Sequence, residues 1–173
     1  MAGSRTVFST PWFEIKSTGG KGDDAYYTFR SPDSVMVLPI TQDGRVLVVR
    51  QWRLARNRVT TELPAGGMDA DERPEQAARR ELLEETGYGG GTFTPLGLGG
   101  FALQRDESNL HLFLAEGVEP LSKPEAGIEV VALTWAEFRE SALANGYEDL
   151  VGVSAVLFAV WRGLLPPQIF SPA

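Results

Sequence analysis

The segment RRELLEETG carries three closely spaced glutamates, Glu81, Glu84 and Glu85. On a helix, residues three and four positions apart lie on one face, so these carboxylates would repel one another and weaken the helix. A divalent cation would remove that repulsion, and a site built only from oxygen atoms suits Mg²⁺ or Mn²⁺ and not zinc. The alternative interpretation is an acidic helix face exposed to water, which is the usual explanation of a charge run.

The spacing of the flanking residues favours the metal site. Gly66 is followed after five residues by Glu72, and after seven more by the run Arg80-Glu81-Leu82-x-Glu84-Glu85-x-Gly87-Tyr88. This arrangement matches the Nudix box, G-x5-E-x7-R-E-U-x-E-E-x-G-U with U a bulky apolar residue, at every fixed position. Chance would produce such a match on the order of 10⁻⁹ per start point. The chain therefore resembles the Nudix hydrolase superfamily.

Residues outside the box extend the resemblance over residues 35–160. The runs QWR at 51–53, ELPAG at 62–66 and HLFLA at 111–115 resemble the ADP-ribose pyrophosphatase branch. The resemblance implies Mg²⁺-dependent hydrolysis of a nucleotide sugar, such as ADP-ribose or GDP-mannose, to a nucleoside monophosphate and a sugar phosphate. The run GGFALQRD, at 99–106, lacks the proline that this branch carries beyond the box, which leaves the base and the sugar open. Two alternatives remain, namely another diphosphate substrate (a dinucleotide or a coenzyme A derivative) and a non-catalytic ligand sensor.

The same resemblance assigns roles to residues of the box. It implies that Glu81 and Glu85 bind the metal together with the backbone carbonyl of Ala65. It implies that Glu84 either binds a second metal ion or polarises the attacking water. Arg80 is expected to hold the glutamates in register and not to touch the substrate.

In the resembled branch, a glutamate on a mobile loop outside the box activates the water. The matching stretch here is SKPEAGIEV, at 122–130. Glu125 is the first candidate because it lies between a proline and an Ala-Gly pair, which suits a loop that closes over substrate. Glu129 is the second candidate and Glu107 the third. The alternative is that Glu125 is an exposed loop acid without a catalytic role.

Four residues are weaker candidates for substrate contacts. Arg53 and Arg56 could bind the diphosphate, because the guanidinium fork matches phosphate oxygens. The alternative is that they are exposed arginines with no specific partner. Trp52 either stacks on a nucleobase or packs at an interface, and packing is favoured. His111 alternates with leucines on a predicted strand and is interpreted as structural.

Composition limits the class of protein. The chain has 173 residues, 43% of them hydrophobic and 23% charged, which suits one globular domain. Its net charge of −7 argues against a nucleic-acid partner. It has no cysteine, no apolar run long enough to span a bilayer and no features of a secretory signal at its start. We expect a cytoplasmic protein with no membrane partner.

Strand and helix signals alternate irregularly along the chain. Strands are predicted at WFEIK, AYYTF, SVMVLPI, RVLVVRQW, VTTELPA, TFTPLGLGGFAL, NLHLFLAEG and EVVALTW, with Asp43-Gly44 forming a hairpin turn. Helices are predicted over 74–86, between Pro74 and Gly87, and at WAEFRESALANG and DLVGVSAVLFAVWRG. The pattern predicts an α+β fold, a Nudix-type α/β/α sandwich around a mixed β-sheet, with N-terminal strands preceding the core.

Three segments are expected along the chain. Residues 1–35 form an N-terminal strand segment, residues 36–165 a Nudix hydrolase domain and residues 166–173 a loose tail. A pair of strands rich in aromatic residues is marginal alone and needs a partner surface. The first segment is therefore expected to join two copies in a homodimer.

Overall fold

The N-terminal part of the chain forms a separate three-stranded antiparallel sheet. The computed structural model describes residues 3–20, 24–144 and 149–170. The strands of this sheet lie side by side in chain order: β1 (Ser4–Ser9), β2 (Glu14–Gly19) and β3 (Ala25–Arg30). The sequence predicts β2 and β3 but not β1, because all six residues of β1 are exposed and no alternation marks it.

A second sheet of eight strands forms the centre of the molecule. Its members are β4 (Ser34–Thr41), β5 (Val46–Arg53), β6 (Arg58–Glu62), β7 (Ala65–Gly67), β8 (Tyr88–Gly89), β9 (Thr92–Gly99), β10 (Leu110–Pro120) and β11 (Glu129–Leu133). The strand order is β11-β5-β4-β10-β8, with β6 beside β5, β7 beside β4 and β9 beside β10. Only the β4–β10 pair is parallel among these described strands, so the sheet is mixed, as predicted.

Helices cover both faces of the central sheet: α1 (Pro74–Thr86) on one face, and α2 (Trp135–Leu143) and α3 (Leu150–Trp161) on the other. Successive side chains of β4 point to opposite faces of the sheet, as they do along any strand. Val35 and Val37 pack with Leu82 of α1, whereas Leu38 packs with Ala155 of α3. This confirms the predicted α+β sandwich. None of the helices in the described part of the chain has the length and apolar character needed to cross a membrane.

The ends of α1 lie where the sequence predicts them. Pro74 occupies the first turn, where its missing N–H costs no hydrogen bond. Gly87 follows the last turn in the left-handed conformation, with φ of 73°. A side chain at Gly87 would also collide with the backbone carbonyl of Ser122. Glycine is therefore required both by the backbone angle and by the approach of the 122–125 loop.

Some boundaries differ from the predictions. VTTELPA is two strands, because Leu63-Pro64 turns away from β5 and the Pro64 carbonyl instead accepts from Val37 N–H at 2.9 Å. The β9 strand ends at Gly99, so 100–103 belong to a loop. The segment 166–173 was expected to hang loose, but Pro167–Phe170 forms a 3-10 turn and Ile169 packs against the core. Residues 171–173, and 145–146 of the predicted second helix, lie outside the described residues.

Candidate functional site

Arg80 connects α1 to the loop that precedes it. Its Nε and Nη2 donate to the two carboxylate oxygens of Glu72, at 3.0 and 2.8 Å, and Nη2 also donates to the Gly67 carbonyl at 2.9 Å. Glu72 in turn accepts from the backbone N–H of Asp69 at 3.0 Å. The hydrogen bonds from Arg80 lower the pKa of Glu72, so this carboxylate stays charged. The loop and the helix are thus fixed to each other through one arginine.

The remaining nitrogen of Arg80 contacts two more glutamates. Nη1 donates to Glu81 at 2.7 Å and to Glu84 at 3.2 Å. Burial raises the pKa of Glu81, and Arg80 offsets this only in part. Gly66 lies directly against the Glu81 carboxylate, so that a Cβ at position 66 would overlap it. A glycine at this position lets the loop backbone approach the carboxylate.

Glu85 lies deeper, beneath the β7 backbone. It is buried, and one carboxylate oxygen accepts from Ala65 N–H at 2.9 Å. Burial raises its pKa to about 7, against the opposing effect of the Ala65 hydrogen bond, and the charge of Glu81 adds to the rise. The side chain of Gln51 lies close enough to Glu85 to lower the pKa of that carboxyl, as the weakest of these influences. The buried amide nitrogen of Gln51 has no hydrogen-bond partner among the described residues.

The three glutamates predicted as metal ligands do not converge. In residues 3–20, 24–144 and 149–170, no group of three or more Asp, Glu or His side chains is close enough to hold a metal ion. Arg80 holds Glu81 and Glu84, whereas Glu85 turns to the Ala65 backbone. The chemistry of the site nevertheless fits a hard divalent cation. Two partly or fully buried carboxylates with raised pKa values lie beside a backbone strand, and oxygen donors of this kind suit Mg²⁺ or Mn²⁺.

A cleft opens on both sides of the Ala65 backbone. On one side lies a cavity of about 630 Å³, here called the acidic lobe, whose lining includes Trp12, Gly66, Arg80, Glu81 and Phe101. On the other side lies a cavity of about 480 Å³, here called the arginine lobe, whose lining includes Arg53, Arg56, Glu62, Phe101 and Asp149. Glu81 of the Nudix box therefore lines one part of a two-part cleft that could accept the two halves of an extended substrate.

The arginine lobe contains both arginines predicted to bind the diphosphate. Arg53 donates to Glu62 through Nε at 2.9 Å and through Nη2 at 2.5 Å. Burial raises the pKa of Glu62, but hydrogen bonds from Arg53 and Thr60 outweigh it and leave the pKa lowered. Arg56 follows on a 3-10 turn, Leu54–Arg56, and lines the same lobe. The lobe thus presents two cations, and Glu62 fixes the orientation of Arg53.

Two predicted candidates for water activation lie outside the described lining of the cleft. Glu125 N–H donates to the Glu84 carbonyl at 2.9 Å, which places its loop at the C-terminal end of α1. Glu129 lies opposite Arg50 on the neighbouring strand, and their side chains form an ion pair at 3.4 Å. Of the two, the loop residue is adjacent to the Nudix box, whereas Glu129 is already paired.

Two other candidates, Glu107 and His111, contact neighbouring polar residues, whereas a third, Trp52, is exposed. Glu107 accepts from Thr28 at 2.5 Å and pairs with Lys16 at 3.2 Å, so it joins a loop to the N-terminal sheet. His111 lies on β10 with its Nε2 3.9 Å from Asp33. Trp52 is 57% exposed and is not among the described residues lining either lobe. Its exposure leaves both predicted roles open, packing at an interface and stacking on a nucleobase.

Sequence reasoning missed three residues of the cleft. Trp12 lies in the N-terminal segment, for which the sequence predicts only a role in assembly, yet it lines the acidic lobe. Asp149 caps α3 by accepting from the N–H groups of Val151 and Gly152, at 3.1 and 3.0 Å, and lines the arginine lobe. Phe101 lines both lobes. In the sequence, Phe101 is marked only by the two glycines before it, Gly99-Gly100, which predict a loop. This loop belongs to the run 99–106 that lacks the proline of the resembled branch.

Comparisons with known proteins identify the family of the chain. A family model described as NUDIX domain matches residues 30–155. The chain is 37% identical over 98 residues to an ADP-ribose pyrophosphatase of Bacillus subtilis, covering 54% of this chain and 51% of that protein. It is 40% identical over 83 residues to an ADP-sugar pyrophosphatase of Mus musculus, covering 46% of this chain and 35% of that protein. These matches thus span about half or less of the relatives' length.

Two longer matches cover most of the chain. An ADP-ribose pyrophosphatase of Mycobacterium tuberculosis is 30% identical over 143 residues, covering 78% of this chain and 69% of that protein. A crystal structure of an ADP compounds hydrolase superposes with a TM-score of 0.77 at 22% identity, covering 96% of this chain and 93% of that one, which establishes the likeness of fold. Because the family match extends from residue 30 to residue 155 and includes the complete box, the chain belongs to the NUDIX domain family.

Proposed function

We propose that this protein hydrolyses the diphosphate linkage of a nucleotide sugar, such as ADP-ribose or GDP-mannose, to a nucleoside monophosphate and a sugar phosphate. The observation that carries the proposal is the position of Glu81 beside Gly66 in the lining of the acidic lobe, one helical turn from buried Glu85. The names of the relatives from B. subtilis, M. tuberculosis and mouse support the substrate class.

Mg²⁺ is the proposed cofactor, and Mn²⁺ would satisfy the same oxygen donors. Glu81, Glu85 and the Ala65 carbonyl would hold it, and Glu84 would hold a second ion or polarise the water. When bound, the metal neutralises phosphate charge and lowers the pKa of a coordinated water. Arg80 contributes by fixing Glu81 and Glu84 relative to the loop, through the hydrogen bonds at 2.7 and 3.2 Å.

The arginine lobe is proposed to bind anionic oxygen atoms of the substrate. Arg53 presents a guanidinium whose orientation is fixed by Glu62, which reduces the side-chain entropy lost on binding. Arg56 lies on the same lining and adds a second positive charge. The pair lies across Ala65 from the acidic lobe, so a substrate crossing Ala65 would place its diphosphate between carboxylates and arginines.

Glu125 is proposed to take the proton from the attacking water, with Glu129 as the second choice. The backbone of Glu125 is bonded to the end of α1, and its side chain is exposed, so the loop could bring the carboxylate over the cleft. The ion pair of Glu129 with Arg50 would have to break before Glu129 could act. A base acting only in the closed complex would lower turnover without weakening substrate binding.

The proposed working form is a cytoplasmic homodimer joined through the N-terminal sheet. Large apolar side chains are exposed on that sheet, among them Val7, Phe8, Tyr26, Tyr27 and Phe29. Phe8 and Phe29 both contact the Phe13 ring, with ring centres 5.8 and 5.1 Å apart, and an aromatic cluster with exposed members is typical of an interaction surface. The charge of −7 supports neither nucleic acid nor an anionic membrane as the partner.

The test is a hydrolysis screen with Mg²⁺ over ADP-ribose, GDP-mannose, other nucleotide sugars, dinucleotides and coenzyme A derivatives. Release of a nucleoside monophosphate and a sugar phosphate from a nucleotide sugar is the expected result. Preferential cleavage of dinucleotides or coenzyme A derivatives would show that these compounds, and not nucleotide sugars, are the substrate class. Binding of a nucleotide without turnover of any compound would identify a ligand sensor.

A further inference from the structure

Phe101 lies where the two lobes of the cleft meet. Of the described residues, Ala65 and Phe101 line both lobes. Ala65 contributes the backbone beside the carboxylates, whereas Phe101 contributes a large ring that is 61% exposed. A side chain that stays in water next to a cleft leaves apolar surface available to a ligand.

The loop that carries Phe101 is bonded to the N-terminal sheet through its backbone. Phe29 N–H donates to the Arg105 carbonyl at 2.7 Å, and Glu107 N–H donates to the Phe29 carbonyl at 2.9 Å. Together with the bridge between Phe29 and Asp106, these bonds attach the loop alongside β3. The loop position is therefore set by β3 and not by the central sheet alone.

Side chains add to this attachment. Arg105 donates to the Tyr27 carbonyl at 2.9 Å, and its guanidinium lies over the Tyr26 ring, 3.9 Å from the ring centre. Glu107 accepts from Thr28 at 2.5 Å and pairs with Lys16 at 3.2 Å. Charged residues that follow Phe101 in the chain thus attach the loop to strands β2 and β3.

We infer that Phe101 contacts the bound substrate at the junction of its two halves, and that Arg105 and Glu107 are positioning residues that hold Phe101 there. This inference rests on the proposed function, because only a two-part substrate fills both lobes. An aromatic ring provides a flat apolar surface for a nucleobase or the apolar face of a sugar, next to the charged diphosphate. The N-terminal sheet thereby contributes to substrate binding as well as to assembly.

Steady-state kinetics with the best nucleotide sugar test the contact. Phe101→Ala is expected to raise KM about 10-fold, in line with the loss of one stacking contact, while kcat stays close to the wild-type value. Phe101→Tyr keeps the ring and is expected to restore KM. Leu103→Ala is the matched control, because Leu103 is an 84% exposed apolar residue of the same loop that is not among the residues lining either lobe.

Binding of the non-hydrolysable α,β-methylene analogue of that same nucleotide sugar, ADP-ribose or GDP-mannose, measured by calorimetry, gives a readout independent of turnover. The analogue is expected to bind Phe101→Ala about 10-fold more weakly than wild type. Arg105→Ala is expected to weaken binding about 3-fold, and to add nothing further in the Phe101→Ala background, because it acts through that ring. Thermal melts establish that each variant is folded.

The outcomes separate the inference from the function on which it rests. A wild-type protein that neither hydrolyses a nucleotide sugar nor binds the analogue overturns both. An active wild type with unchanged KM and affinity in Phe101→Ala, or with an equal loss in Leu103→Ala, leaves the function intact and overturns the contact. Full additivity of Arg105→Ala with Phe101→Ala overturns the positioning role.

Discussion

Arg80 and Glu72 form a two-point ion pair across eight residues of chain, with nitrogen–oxygen distances of 3.0 and 2.8 Å. The same guanidinium also reaches Glu81, so the loop, the helix and a proposed metal ligand share one cation. A planar guanidinium with several donors can make these contacts at once, whereas a lysine ammonium on a flexible stem cannot. Arg80 therefore fixes the positions of Glu72, Glu81 and Glu84 relative to one another.

Replacing this arginine by lysine should impair activity without removing the charge. We expect Arg80→Lys to lower kcat/KM by about 10- to 100-fold, the usual effect of losing a residue that orients metal ligands. Glu75→Gln is the control, because Glu75 forms an exposed pair with Arg79 on the same helix, at 2.9 Å. Equal activity of Arg80→Lys and wild type over a range of Mg²⁺ concentrations would argue against the orienting role.

The close approach of Gly66 to Glu81 predicts a difference between adjacent glycines. A Cβ at position 66 would overlap the Glu81 carboxylate, whereas a Cβ at Gly67 would meet nothing within 4 Å. Because the clashing atoms are the end of a flexible side chain, Gly66→Ala should displace the Glu81 carboxylate and reduce activity, at a cost to the unfolding free energy of about 1 kcal/mol, the loss of one hydrogen bond. Gly67→Ala should behave like wild type. Hydrolysis assays and urea denaturation of both variants measure the difference, and equal activity of Gly66→Ala and wild type would show that the Glu81 carboxylate can move aside without consequence.

The Arg53–Glu62 pair predicts a pH-dependent contribution to stability. Because the pKa of Glu62 is lowered in the folded protein, its stabilising effect is full above the unfolded value of 4.5 and is lost as the pH falls through the folded pKa. Glu62→Gln should reduce the unfolding free energy at pH 7 by about 1 kcal/mol, a value discounted for the partly exposed arginine. The gap between wild type and variant should shrink in acid. A gap that stays constant from pH 7 to below the unfolded value would rule out this linkage.

The exposed apolar residues of the N-terminal sheet predict assembly. Light scattering at micromolar concentration should give about twice the chain mass of 18.9 kDa. Phe8→Ser should shift the protein toward the monomer, since the Phe8 side chain is 51% exposed on β1. Leu143→Ser, an exposed apolar change on α2, is the control and should leave the mass unchanged. A monomeric wild-type protein would refute the predicted dimer.

Local signals in the sequence explain which elements were predicted. Pro74 and Gly87 define α1 because one suits a first turn and the other allows a left-handed backbone angle. Strand β1 has no such signal, since all of its side chains are exposed. The break at Pro64 depends on a hydrogen bond to Val37, a contact between distant strands that no local pattern records.

The candidate site, like the fold, was predictable where its residues lie close together in the sequence. The spacing of the box places Glu81 and Glu85 on α1, because helical periodicity is local. The role of Phe101 was not predictable, because the position of its loop depends on bonds between Phe29 and residues more than seventy positions away. The resemblance assigns Arg80 to holding the glutamates in register, and its guanidinium does donate to oxygens of Glu81 and Glu84, both within about one turn of the helix. Long-range hydrogen bonds decide what the periodic pattern leaves open.

The central claim is that carboxylates of α1 support metal-dependent hydrolysis of a nucleotide sugar. Its most direct test measures release of nucleoside monophosphate from ADP-ribose and GDP-mannose with Mg²⁺ or with EDTA, for wild type, Glu81→Gln, Glu85→Gln and the control Glu75→Gln. Glutamine at 85 can still accept from Ala65 N–H, so the fold should survive. We expect Mg²⁺-dependent release by wild type and Glu75→Gln, and rates at least about 100-fold lower for the other two variants. Near wild-type rates in Glu81→Gln or Glu85→Gln at saturating Mg²⁺, or release that persists in EDTA, would contradict the claim.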